Sequence, residues 1–217
     1  MRVQTGHNVA MTDPGRSYGA AQRALIQGFV GFWSAIVACL VVSHSATTEQ
    51  DGISYFGVHA TTLPLIVLGY ASVIAGMLVA AQRLPADPVG RRLALPLRAM
   101  PVCAFLLLLT PFNHGTALNW SHMTVGVSLA FSEAAVTVWL LAVLAAPGVA
   151  AGALLELVGG VICALSLPGT SFNHLLQGEL LFNLGFCVAI VAALQTASRA
   201  ESSDDRFDEY DPRLSAE

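Results

Sequence analysis

Six long apolar stretches constrain this chain more than any other feature of its sequence. A window of about twenty residues, the length that an α-helix needs to cross the hydrocarbon core, picks out six segments. They lie at residues 24–43, 62–81, 93–112, 121–145, 149–168 and 176–197. Because the bilayer core offers no water to unpaired backbone groups, each segment is expected to be α-helical. We therefore predict an all-α, polytopic membrane protein built as a six-helix bundle.

The composition agrees with a membrane protein. The chain is 55% hydrophobic and 11% charged, whereas soluble domains carry about 25% charged residues. Neither a disulfide framework nor a CxxC metal motif is expected, because each cysteine falls in a different apolar run. The first apolar run is too long for the core of a signal peptide and is predicted to remain as a span. Met11 is an alternative start, since residues 1–20 are polar and without pattern.

The positions of the arginines predict an orientation. All ten positive charges are arginine, and all lie before the first span, around the connection between the second and third, or after the sixth. Cytoplasmic loops carry the excess of basic residues, so both termini are predicted to be cytoplasmic. The loops predicted to face outward, 44–61, 113–120 and 169–175, contain no arginine. The predicted location is a bacterial plasma membrane.

The chain divides into three predicted regions. Residues 1–23 form a polar cytoplasmic segment, and residues 24–197 form the transmembrane domain. Residues 198–217 are rich in acidic side chains and poor in large aliphatic ones, which predicts a disordered cytoplasmic tail.

Small residues four apart suggest close helix contacts. Gly148 and Gly152 have this spacing on the fifth span, and Ser72 and Gly76 have it on the second. Such pairs let helix backbones approach closely, so these spans are predicted to form the centre of the bundle or the face of a homodimer or partner complex. The bilayer is the other expected partner, and no feature predicts binding to nucleic acid.

Five of the six histidines fall in or beside the outward loops, and the tripeptide Phe-Asn-His occurs there twice, at 112–114 and 172–174. The predicted outward polar cluster comprises His59, His114, His122, His174, Asn113, Asn173, Glu49, Asp51 and Glu179. One interpretation is structural: Asn113 closes the third helix, Asn173 caps the sixth, and the aromatic residues lie in the interfacial band. A second is a zinc site formed by His59, His114 and His174, because imidazole and carboxylate are preferred zinc ligands. A third is a polar pocket for a headgroup or partner.

Three charged residues fall within the spans. Ionisable groups at such depth are costly unless they are paired, protonated or hydrated, so they are functional candidates by default. Arg98 and Glu156 lie at similar predicted depths, which predicts an ion pair between them. Glu133 then remains neutral or reaches a polar neighbour, for which the candidates are Ser128, Thr137 and Asn183.

Two segments carry a resemblance to a known family. The sequence "DGISYFGVHATTLP" precedes a helix that contains Gly and Ser, and "WSHMTVGVSLAF" opens the fourth span. Together they resemble the bacterial six-helix membrane proteins called domain of unknown function family 998. The overall plan is similar, more distantly, to the damage-regulated autophagy modulator proteins. The resemblance covers roughly residues 24–197, implies a six-helix membrane fold, and singles out Ser54, Tyr55 and His122.

The sequence leaves three functions open. No Walker loop, GxSxG, HExxH or dinucleotide fingerprint is present, which favours a non-enzymatic role in lipid organisation or as a membrane partner subunit. The alternative is an outward-facing metal-dependent hydrolase that uses the histidines and carboxylates described above. A second alternative is a small proton- or ion-coupled transporter that uses Glu133, Arg98 and Glu156.

Overall fold

The computed structural model describes residues 17–166 and 172–208 and consists of helices joined by short connections. In chain order these are α1 (Tyr18–Val42), α2 (Ala46–Asp51), a 3-10 helix (Gly52–Gly57), α3 (Leu63–Arg83), α4 (Pro88–Leu109), α5 (Thr116–Leu144), α6 (Pro147–Leu165) and α7 (Leu175–Asp208). All except α2 and the 3-10 helix are long and apolar enough to cross a membrane, which gives six candidate spans among the described residues. The predicted all-α, six-span fold class is confirmed.

The ends of the helices differ from the predicted boundaries. Helix α1 begins at Tyr18, inside the segment predicted to be polar and pattern-free, because the Ser17 hydroxyl accepts a hydrogen bond from the Ala20 amide at 3.1 Å. Helix α7 continues to Asp208, so residues 198–208 are helical and not disordered as predicted. A helix that is already nucleated extends at little cost, and no proline or glycine interrupts this stretch. Residues 1–16 and 209–217 lie outside the described residues.

The spans form a closed ring around one apolar core. Helix α1 contacts α3 and α7, α3 contacts α4, α4 contacts α5, and α5 contacts both α6 and α7. The interior contains fully buried side chains such as Leu25, Leu97 and Ile190. Phe29 and Phe186 join α1 to α7 through an edge-to-face contact with ring centroids 6.4 Å apart. Every span thus presents one face to the core and the rest to lipid.

Small residues bring two pairs of helices into backbone contact. A Cβ atom at Gly76 on α3 would lie 2.8 Å from the Cα of Gly28 on α1. A Cβ atom at Gly152 on α6 would lie 2.5 Å from the backbone nitrogen of Ala189 on α7. The predicted small-residue positions therefore build contacts within the chain, between α1 and α3 and between α6 and α7. A homodimer that uses them stays a prediction.

The close contact between α6 and α7 leads to a prediction about the stability of the protein. Gly152→Ala is expected to lower the free energy of unfolding by about 1–3 kcal/mol, because the added methyl group overlaps the α7 backbone. Gly160→Ala on the same helix is the matched control, since its Cβ atom would lie 3.6 Å from the Phe182 ring, an ordinary contact. The measurement is the melting midpoint of each purified variant in mild detergent. Equal midpoints for the two variants would contradict the close approach.

The two ends of the bundle carry different residues. We call the end that contains the connections at residues 43–62 and 110–115 the histidine end, because His44, His59, His114, His122 and His174 lie there. The opposite, arginine end contains the connections at 84–87 and 145–146. There the Tyr18 hydroxyl lies 2.8 and 2.9 Å from the two carboxylate oxygens of Asp87. Asp87 also caps α4 by accepting from the Gly90 amide at 2.7 Å, so this contact ties α1 to the α3–α4 connection.

Candidate functional site

A compact cap, which we define as residues 46–57, covers part of the histidine end. It consists of α2 and the 3-10 helix, and it forms because Ser45 accepts a hydrogen bond from the Thr48 amide at 3.2 Å. Gly52 then turns the chain with φ of +69°, a conformation that side chains other than glycine rarely adopt. The Thr48 hydroxyl, fully buried, donates to the Ser43 carbonyl at 3.0 Å and ties the cap to the end of α1.

Glu179 on α7 anchors the cap to the bundle. Its Oε2 accepts a hydrogen bond from the Ile53 amide at 2.6 Å, and this bond joins residues 126 positions apart in the sequence. The carboxylate can approach because Gly52 has no side chain, and a Cβ atom there would lie 2.8 Å from the Glu179 Cδ. The first turn of the 3-10 helix is therefore held in a fixed position over α7.

Ser54, the next residue, contacts His122 on α5. The Ser54 Oγ lies 2.7 Å from the His122 Nε2, and the His122 Nδ1 lies 2.6 Å from the Thr110 carbonyl oxygen. A carbonyl oxygen can only accept, so in the neutral imidazole the proton is on Nδ1. Nε2 then accepts the hydrogen bond from the Ser54 hydroxyl. The Ser54 hydroxyl therefore donates to the His122 imidazole, and the imidazole in turn donates to the Thr110 carbonyl.

Both members of this pair are accessible. Ser54 and His122 are each partly exposed, and the ring of Phe112 lies 5.9 Å from the imidazole ring, centroid to centroid. His122 lies in the second turn of α5, about 9 Å along the helix from its first residue. The pair is therefore set slightly below the histidine end of the bundle, beside an aromatic side chain.

Tyr55, the third position singled out by the resemblance, lies in a neighbouring pair. Its ring stacks on the His59 ring with centroids 3.9 Å apart, and the His59 Nδ1 lies 2.7 Å from the Tyr55 carbonyl oxygen. These contacts join the end of the cap to the residues that follow it. They stiffen the turn that follows Ser54.

The three zinc candidates do not converge. His59 contacts Tyr55, the His114 Nδ1 lies 2.9 Å from the Phe112 carbonyl oxygen, and the His174 ring packs against Phe172 at 4.7 Å. Across residues 17–166 and 172–208, no group of three or more His, Cys, Asp or Glu side chains is placed to hold a metal ion. The arrangement that the zinc interpretation requires is not found among these residues.

The two Phe-Asn-His segments adopt different structures. In the first, Asn113 has a left-handed φ of 61° and its amide donates to the Asn119 side chain at 2.7 Å. Helix α4 has already ended at Leu109, so Asn113 does not close it as predicted. In the second, the His174 carbonyl accepts from the Gly178 amide at 3.0 Å, which puts His174 and not Asn173 at the start of α7. The two copies of the tripeptide therefore do not form the same structure, and each belongs to its own local turn.

The remaining acidic residues of the predicted cluster lie apart from Ser54 and His122. Glu49 forms an ion pair with His44 at 3.6 Å, on a partly exposed surface. Asp51 ends α2, and burial raises the pKa of its carboxyl group, while the nearby His59 acts in the opposite direction. Glu49 and Asp51 belong to the cap but do not hydrogen-bond Ser54 or His122, whereas Glu179 reaches the cap from α7 and binds the Ile53 amide.

The intramembrane charges do not form the predicted pair. Arg98 is exposed on α4, whereas the Glu156 side chain on α6 is only 4% exposed. No ion pair joins the two residues, both of which the structure describes. Glu156 instead packs against Gly185 on α7, and Glu133 on α5 is also buried, at 5% exposure. Similar predicted depth does not bring the two side chains together, because Glu156 faces α7 whereas Arg98 is exposed.

Comparison of the chain with protein-family models, with curated proteins and with solved structures finds no match. The resemblance to domain of unknown function family 998 therefore stays a prediction. The site rests on its own geometry, in which two of the three positions singled out by that resemblance, Ser54 and His122, are in contact. The contribution of the Thr110 carbonyl and the contact of Glu179 with Ile53 were not predicted.

Proposed function

We propose that this integral membrane protein catalyses acyl transfer from ester substrates, with Ser54 as the nucleophile and His122 as the general base. The observation that supports the proposal is the chain of contacts from the Ser54 hydroxyl through the His122 ring to the Thr110 carbonyl, at 2.7 and 2.6 Å. A nucleophile and a base within hydrogen-bond reach, with the base oriented by a third group, is the pattern that nucleophilic catalysis requires.

The proposed reaction proceeds in two balanced steps. The His122 Nε2 takes the Ser54 proton as Oγ attacks the ester carbonyl carbon, and the resulting imidazolium then gives that proton to the departing alcohol. The acyl group remains on Ser54 as an ester. In the second step His122 takes a proton from water, hydroxide adds to the acyl carbon, and the acid leaves as Ser54 recovers its proton. The Thr110 carbonyl stabilises the imidazolium through Nδ1 in both steps.

The position of the pair favours an acyl ester of a membrane lipid as the substrate class. His122 lies about 9 Å along α5 from its first residue, and Phe112 supplies an apolar surface beside the imidazole. Trp120, about 3 Å nearer the same end of α5, is 67% exposed. Tryptophan at this level is typical of the interface between headgroups and acyl chains, where lipid ester bonds also lie.

The proposal predicts covalent labelling of one serine. A fluorophosphonate probe should react with the purified protein in mild detergent, and Ser54→Ala should abolish the labelling, because the probe forms its bond with an activated serine hydroxyl. Ser128→Ala is the matched control, since the Ser128 hydroxyl donates to the Thr124 carbonyl of its own helix at 2.7 Å and contacts no base. Labelling that persists in Ser54→Ala, or is absent from the folded wild type, would contradict the proposal.

We further propose that the histidine end faces outward from a bacterial plasma membrane and that both termini are cytoplasmic. The support is the distribution of arginine, which is absent from residues 43–62 and 110–115 and present at Arg83, Arg91 and Arg92 beside the opposite connection.

Accessibility of introduced cysteines tests this orientation. Thr47→Cys on the cap should react with an impermeant maleimide on intact cells, because Thr47 is exposed at the histidine end. Ala86→Cys, exposed at the arginine end, should react only after the cells are permeabilised. The four native cysteines lie in the spans and provide a common background. The reverse pattern would overturn the proposed orientation.

The other functions considered from the sequence have distinct consequences. A role in lipid organisation or as a partner subunit requires no reactive serine, so an unreactive Ser54 would favour it. The zinc-dependent variant of the hydrolase has no converging set of ligands among the described residues. Ion-coupled transport requires a polar site inside the bundle.

A further inference from the structure

A small cavity lies inside the bundle, separate from Ser54 and His122. Its volume is about 40 Å³, and residues of α1, α3, α4, α5 and α7 line it. Four lining residues have polar or titratable side chains, namely Tyr70, Glu133, Asn183 and Cys187, and the other seven are apolar. A cavity needs roughly 10–15 Å³ to hold a water molecule, so this one has space for a small ion or a few waters.

Glu133 is the charged group in this cavity. Its side chain is 5% exposed, and within the described part of the chain it has neither a hydrogen bond nor an ion pair. The chain contains no lysine, and Arg98, the arginine nearest in depth, is exposed on α4. A carboxylate buried without a partner costs several kcal/mol, so the Glu133 side chain is either neutralised by a proton or accompanied by a cation.

Two further side chains with oxygen atoms line the same cavity as Glu133. The Asn183 Nδ2 donates to the Glu179 carbonyl at 2.8 Å, which leaves the Asn183 Oδ1 as the acceptor atom of that side chain. Tyr70 on α3 adds a hydroxyl group to the same lining. Carboxylate, amide and hydroxyl oxygens are the ligands that hard cations prefer.

We propose that the cavity binds a single monovalent cation, with Glu133 as its charged ligand. The cation is sodium-sized, because one negative charge and the volume of the cavity match one such ion. The neighbouring titratable groups are Tyr70 on α3, Cys187 and Glu179 on α7, and Glu156 on α6, while the lining residues of α1 and α4 are apolar. None of these neighbours supplies a positive charge.

The test measures the melting midpoint of the full-length protein in detergent, in choline chloride and in sodium chloride, at several pH values. A sodium site predicts a rise of roughly 3 °C in sodium at a concentration well above its Kd, a smaller rise at acidic pH, and no rise in Glu133→Gln. A midpoint that does not respond to sodium and depends only on pH would show that protonation alone neutralises Glu133, and this result would overturn the proposal.

Glu156→Gln is the matched control. Glu156 is as buried as Glu133 but does not line the cavity, so this variant should keep the sodium-dependent rise. A sodium-dependent rise of the same size in Glu133→Gln would also overturn the proposal. Serine labelling is independent of these measurements, so failure here is distinguishable from failure of the acyl-transfer proposal.

Discussion

Replacement of His122 by alanine is expected to slow ester hydrolysis by about 10³-fold, because general base catalysis by a positioned histidine contributes on this order. The KM should change little, since the imidazole acts on the Ser54 proton and is not required to hold the acyl chain. The measurement is the initial rate with a short-chain nitrophenyl ester dispersed in detergent micelles. Added imidazole should restore part of the lost rate by occupying the space that the side chain leaves.

His59→Ala is the control for this prediction. His59 lies two residues after the cap, is also partly exposed, and hydrogen-bonds the Tyr55 carbonyl but not Ser54. It is expected to retain the wild-type rate. A loss of equal size in both variants would indicate that the cap is merely disturbed, and an unchanged rate in His122→Ala would remove the proposed base.

The bundle itself was predictable because the bilayer imposes it. Only helices satisfy their own backbone in hydrocarbon, so six apolar runs of sufficient length are enough to predict six spans. The ends were less predictable, since they depend on local hydrogen bonds. Ser17 starts α1 before the apolar run begins, and α7 continues beyond the apolar run to Asp208. Neither feature changes the mean hydropathy on which the boundaries were based.

The polar contacts show why depth does not predict pairing. Arg98 and Glu156 were predicted at similar depths, yet Arg98 is exposed and Glu156 is buried against α7. Pairing requires the rotation of each helix about its axis, which its neighbours set through packing. In the same way, hydropathy could not predict that the Glu179 carboxylate lies against Gly52 and accepts a hydrogen bond from the Ile53 amide.

The proposed catalytic pair, Ser54 and His122, was partly predictable from the sequence. The resemblance singled out Ser54 and His122, but not their contact, and the structure brings them together across 68 positions of sequence. The third participant is the Thr110 carbonyl, which is a backbone group. The residue types in a sequence do not indicate which backbone groups a side chain will contact. A search for a carboxylate or a metal beside histidine therefore could not find it. The sequence did contain one signal for this site, the glycine at position 52. In the structure its positive φ and missing side chain let Glu179 fix the start of the 3-10 helix.

Glu179 gives the second large prediction, because it acts on Ser54 through the backbone. Glu179→Leu is expected to lower kcat by about 10- to 100-fold with little change in KM, since a displacement of Ser54 by about 1 Å can cost 10²-fold in rate. Glu179→Gln should recover most of that loss, because its amide oxygen can still accept from the Ile53 amide. A purely structural role would instead lower the melting midpoint of both variants and leave kcat per folded molecule unchanged.

The same bond can be disturbed from its other side. Gly52→Ala adds a Cβ atom that would lie 2.8 Å from the Glu179 Cδ, at a φ of +69° that costs other residues about 1–2 kcal/mol. Its kcat should therefore fall as in Glu179→Leu. Gly57→Ala in the same 3-10 helix should keep the wild-type kcat, because no atom lies within 4 Å of its added Cβ. If Gly52→Ala and Gly57→Ala have equal kcat values, the bond between Glu179 and Ile53 does not position the nucleophile.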